Sequence, residues 1–152
     1  MRWFVCLVCA GFLAGCDRSF DEVDGHKLGR PESVVFARNQ SGHMMFVLSN
    51  LPNLCDTLAS ADPPAIDDYW VLSSWTRLEV DAPGEYATEA FVAVATNSAI
   101  DEYETEVGEL DVHRVGVDAI KARLDLTFPG GERIKARMTA ELCDEDLFLG
   151  MH

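Results

Sequence analysis

The sequence predicts an all-β fold, an antiparallel β-sandwich or small β-barrel of about seven or eight strands with one short helix. Three observations predict it. Short runs rich in Val, Phe, Thr and Trp recur roughly every 8 to 12 residues between turn residues. Two stretches near the carboxyl end alternate apolar and polar residues with period two, which gives one buried and one wet face. Only one segment carries apolar residues at helical spacing. The 152 residues allow one domain.

Taken in order, Ser33 to Arg38 and His43 to Ser49 flank Asn39-Gln40-Ser41-Gly42, a hairpin. The helix is expected over Pro52 to Ala59, with Asn50 or Ser49 as its cap and Pro63-Pro64 beyond its end. Leu51, Leu54 and Leu58 share one of its faces, with Cys55 beside them, and it is expected to cover one end of the sheet. Tyr69 to Val80 reads as a strand closed by the turn Ala82-Pro83-Gly84. Glu89 to Thr96 is apolar on both faces, hence central, and Glu109 to Val115 is a further strand.

The last hairpin is the clearest local pattern. Ile120, Ala122, Leu124, Leu126 and Phe128 alternate with polar residues, and after Pro129-Gly130-Gly131 the alternation resumes with Ile134, Ala136, Met138, Ala140 and Leu142. Facing residues share a face, so the loop must contain an odd number of residues. A three-residue loop, Pro129 to Gly131, sets Arg123 opposite Arg137. A five-residue loop pairs Asp125 with Arg137 and Lys121 with Glu141, and the sequence leaves both open.

At the amino end, Met1-Arg2 supplies positive charge, Trp3 to Leu13 is an apolar run, and Leu13-Ala14-Gly15 precedes Cys16. The run is shorter than the roughly 18 to 20 residues that span a bilayer, so it reads as an export signal. Leu13-Ala14-Gly15-Cys16 resembles the lipobox of bacterial lipoproteins, and the resemblance covers residues 1 to 16. It implies a diacylglycerol on the Cys16 sulfur, cleavage before Cys16 and acylation of the new amino group. Asp17 resembles the inner-membrane retention signal of enteric-type lipoproteins, a rule other lineages do not follow, so inner and outer membrane both stay open. The expected organisation is a signal peptide over 1–15, a lipidated Cys and short acidic tether over 16–24, and one β domain over 25–152. The expected location is the bacterial cell envelope.

Charge excludes one class of function. Against 12 basic side chains stand 26 acidic ones, a net of −14. Binding to nucleic acid draws on clustered Lys and Arg that displace counterions, so no nucleic-acid partner is expected. The same net charge opposes adhesion to anionic headgroups, which leaves the acyl anchor as the contact with the lipid bilayer. Cleavage would remove Cys6 and Cys9, and the anchor would consume Cys16. The two thiols left, Cys55 and Cys143, read as a disulfide in an oxidising compartment.

Catalytic and metal motifs are sparse. The sequence has no Gly-x-Ser-x-Gly, His-Glu-x-x-His or phosphate-binding Gly-rich loop, and His26, His43 and His113 each stand alone. His43, Met44 and Met45, with Met138 or Met151-His152, offer soft ligands to copper, although two Met in an apolar strand more often pack a core. Asp101, Glu102, Glu104, Glu106, Glu109 and Asp111 lack the Asp-x-Asp-x-Asp-Gly order of a calcium loop and read as a solvated loop or edge strand. Trp70 and Trp75 are the candidate ligand-binding residues. Their odd spacing puts them on opposite faces of one strand, so at least one of them is expected toward solvent.

These observations favour a lipid-anchored envelope protein with no catalytic activity and no cofactor, whose β domain interacts with an envelope protein or organises the envelope. A carrier of small ligands or lipids in a barrel interior is the alternative, and hydrolysis the third reading.

Overall fold

A strand with one apolar face must bury that face against others like it, and here seven strands do so by closing into a barrel. The computed structural model describes residues 22–39, 41–59, 68–96 and 99–143. Its elements are β1 (Ser33–Arg38), β2 (Met44–Ser49), α1 (Leu54–Ala59), β3 (Asp68–Thr76), β4 (Gly84–Thr96), β5 (Ala99–Glu104), β6 (Val107–Val115), β7 (Ala119–Thr127) and β8 (Arg133–Leu142). The barrel runs β1-β2-β3-β4-β6-β7-β8 and back to β1, with β5 added to the far half of β4.

Each antiparallel neighbour reverses strand direction, and an odd number of reversals cannot return to the starting direction, so seven strands need a parallel contact to close. That contact is β1 with β8, and it is short: Val35 faces Glu141 and Phe36 faces Leu142. It is reinforced at its end. The Cys143 N–H donates to the Phe36 carbonyl (2.9 Å), and Cys143 is disulfide-bonded to Cys55 in α1, 88 residues away in sequence.

Alternate residues fill the interior. Phe36, Phe46, Leu72, Leu110, Leu124 and Ile134 are among its fully buried side chains, and the Phe36 and Phe46 rings stack at 6.1 Å. The hydroxyls inside are satisfied locally, as burial requires. Ser74 and Thr88 share a hydrogen bond of 2.6 Å, and Thr76 Oγ1 accepts from the Met44 N–H and donates to the Leu78 carbonyl. Val23 and Leu28 belong to the same core, so the packed domain begins ahead of Gly25.

A second, smaller core lies outside the barrel. Val35 and Val47 point outward from β1 and β2 and pack with Leu51, Leu54 and Cys143. The helix therefore covers the outer face of β1 and β2 rather than an end of the sheet. It also starts two residues later than the sequence predicts, because Asn53 takes a left-handed conformation (φ 52°) that a helix cannot include. Ser33 Oγ accepts from the Leu54 N–H at its start. Ser49 and Asn50 serve β3 instead: Ser49 Oγ donates to the Trp70 carbonyl and Asn50 Oδ1 accepts from the Trp70 N–H. Pro63-Pro64 lie outside the described residues.

The first hairpin forms as expected. Asn39 Oδ1 accepts from the N–H groups of Ser41 and His43, and Gly42 supplies the positive φ of the turn (76°). The last hairpin takes the three-residue loop, with Arg123 opposite Arg137 and Asp125 opposite Lys135. Asp125 is bound in a fork by Arg133 at 2.9 Å and lies 3.4 Å from Lys135. β3 ends at Thr76 rather than Val80, since the chain turns there so that Val80 can join the core, its N–H on the Gly42 carbonyl. β4 runs back to Gly84, and it is central: β3 lies along one edge, β6 and then β5 along the other. Asp101 to Glu104 form part of β5, an edge strand whose carboxylates discourage pairing with another chain.

Candidate functional site

The change of partner along β4 makes a cleft. Gly84 to Ala87 pair with β6 and Phe91 to Thr96 pair with β5, which leaves Thr88 to Ala90 facing the link between those strands. Thr105 bridges the gap: its N–H donates to the Ala90 carbonyl, and its Oγ1 accepts from the Ala90 N–H. β6 then approaches β4 so closely at Gly108 that a Cβ there would sit 2.5 Å from the Thr88 carbonyl oxygen. Only glycine fits that crossing.

The result is an outward-facing cleft of about 380 Å³, lined by Trp75, Arg77, Glu89, Glu104, Glu106 and Val107 among others. Trp75 forms its aromatic wall. The indole is half-buried, its N–H donates to Glu89 Oε2 (3.1 Å), and its ring lies 6.0 Å from that of Phe91. Arg77 is ion-paired with the other Glu89 oxygen, so Glu89 holds both side chains in place. Glu104 and Glu106 are exposed and have no ion-pair partner among the described residues, and Val107 is 61% exposed at the rim. An indole face beside free carboxylates is suited to an ammonium or guanidinium group, which gains from both the ring quadrupole and the negative charge.

The two tryptophans part as their spacing predicts. Trp70 is 3% exposed within the barrel, while Trp75 is on the outer face. The soft-ligand residues are not brought together: Met44 is inside the barrel, Met45 packs outward against the second core, and His43 sits in the turn. Among the described residues no group of three or more His, Cys, Asp or Glu could hold a metal. His26 lies 3.5 Å from Asp101 and His113 lies 3.6 Å from Asp111. No hydroxyl or thiol side chain is hydrogen-bonded to an imidazole among the described residues. Near His26, the Tyr103 hydroxyl is held above the usual phenol range by loss of solvent, the Asp101 and Asp24 carboxylates and a hydrogen bond with Asp24. Cys16, Met151 and His152 lie outside the described residues.

Sequence reasoning missed Arg77, Glu104, Glu106 and Gly108 as parts of one site. The available signal was Gly108, a lone glycine ahead of an alternating strand, which marks a close backbone approach. Comparison with known proteins finds no family model, curated protein or solved structure that matches the chain.

Proposed function

We propose that the chain is an exported lipoprotein of the bacterial envelope, held at a bilayer by acyl groups on Cys16, whose barrel is a non-catalytic interaction module. The Trp75 cleft would receive a cationic segment of an envelope partner. One observation carries this reading: an aromatic side chain and free carboxylates stand together on the outside of a barrel whose inside is filled by its own side chains. The filled interior favours an interaction surface over carriage inside the barrel, because a ligand there would have to displace close-packed Phe and Leu. The segment 17–22 can span at most about 20 Å at 3.3 Å per residue, which would hold the cleft near the membrane.

Tryptophan fluorescence tests the cleft. A lysine-rich peptide should change the emission saturably, and its uncharged counterpart should not. Trp75→Ala and Glu106→Gln should each weaken binding about tenfold or more, equivalent to about 1.4 kcal/mol. Equal affinity of wild type and Trp75→Ala for the cationic peptide would mean that only the net negative charge is sensed, and the cleft assignment fails.

A further inference from the structure

The chain carries 26 acidic side chains, yet the half-buried Arg38 pairs with none of those among the described residues. Arg38 ends β1 and shares the inward parity of Val34 and Phe36, opposite Met44 of the core. Its Nε and Nη2 are buried without a hydrogen-bond partner, and no carboxylate among the described residues is ion-paired with it. Buried donor atoms left without a partner are unfavourable, and such groups are rare in native proteins without a purpose.

Arg38 lines a cleft of about 450 Å³ at the end of the barrel, with Phe36, Val115, Gly116, Val117 and Leu142 completing the wall. No other charged or polar side chain of the described residues lines it. Its lip is apolar and open to solvent, Val117 being 86% and Leu142 39% exposed. Exposed aliphatic side chains around a single half-buried positive charge describe the complement of an amphiphilic anion.

We propose that this cleft binds an acyl carboxylate. The planar guanidinium matches a carboxylate head in fork geometry, and one unpaired cation matches one negative charge. The hydrocarbon chain would lie on Phe36, Val115, Val117 and Leu142, where burying it removes apolar surface of both partners from water. The site is at the barrel rim and does not depend on the Trp75 reading.

The test uses the full chain carrying Cys16→Ser, so that no acyl group of its own competes, titrated calorimetrically with octanoate, acetate and octan-1-ol. Octanoate should bind saturably, and acetate and octan-1-ol at least about tenfold more weakly, since each lacks one half of the recognition. Val117→Glu, on an exposed residue, should weaken octanoate about tenfold or more with the melting temperature unchanged. Arg38→Met should abolish the preference for octanoate over octan-1-ol while raising the melting temperature by about 4 °C. Equal binding of octanoate and octan-1-ol, no octanoate binding, or no effect of Val117→Glu overturns the proposal. So does octanoate binding seen only after Asp144→Asn, Glu145→Gln and Asp146→Asn, since the chain's own carboxylates would then be the anion.

Discussion

Phe46→Ala should cost about 3 to 5 kcal/mol of folding stability, the upper range for a core truncation. Phe46 is completely buried in the middle of β2, faces Phe36 across the β1 ladder and stacks on its ring. Its neighbour across β3 is the small Ser74, which is tied to Thr88 and cannot move in to fill the space. The vacated volume would therefore remain as a cavity, and cavity volume adds to the lost transfer energy. Urea denaturation measures this directly: the midpoint should fall with the slope unchanged. A loss under about 1 kcal/mol would show that the barrel interior is loosely packed, contrary to the structure.

Removing the disulfide should have the second-largest effect. Cys55→Ser with Cys143→Ser is expected to cost about 2 to 5 kcal/mol, because the bridge closes a long loop and so limits the unfolded chain. The bridge also stands at the weakest part of the wall. β1 and β8 meet in only two registered residue pairs, and Cys143 continues that contact through its N–H to Phe36. Hydrogen exchange should accordingly rise first at Cys143 and the ends of β1 and β8 when the bridge is lost. Reductant should destabilise the wild type and leave the double-serine form unchanged. An equal response in both would mean that the bridge does not form.

The parts of the fold that depend on nearby residues were legible in the sequence. The parity of residues 120 to 142 gives the inward face, and the odd spacing of Trp70 and Trp75 gives their separation to the two sides of the wall. Thiol accounting gives the pairing of Cys55 with Cys143. The loop length was open because charge pairing favoured five residues and turn chemistry three. Asp125 settles the conflict by binding Arg133 and Lys135, so it needs no contact with Arg137.

What was not legible depends on distant contacts. Barrel and sandwich differ here by the parallel contact of β1 with β8, between segments about a hundred residues apart, which leaves no local trace. The helix starts late because Asn53 is left-handed, and the expected caps Ser49 and Asn50 bind Trp70 instead, a partner invisible to a capping rule. The Trp75 cleft arises where β4 changes neighbours between Ala87 and Phe91, and nothing in β4's own residues marks that point. Arg38 could have been flagged, since it continues the inward parity of Val34 and Phe36, but its lack of a partner among the described residues is a three-dimensional fact.

Membrane attachment through Cys16 is the claim on which the envelope reading rests, and fractionation of cells expressing the wild type or Cys16→Ser tests it most directly. The wild type should sediment with the envelopes and show, by intact mass, a chain that begins at residue 16 and carries lipid. The serine form should lack that mass and leave the sedimented membranes. If the serine form pellets with the envelopes as completely as the wild type, or if the wild type carries no lipid, the chain is not anchored in this way.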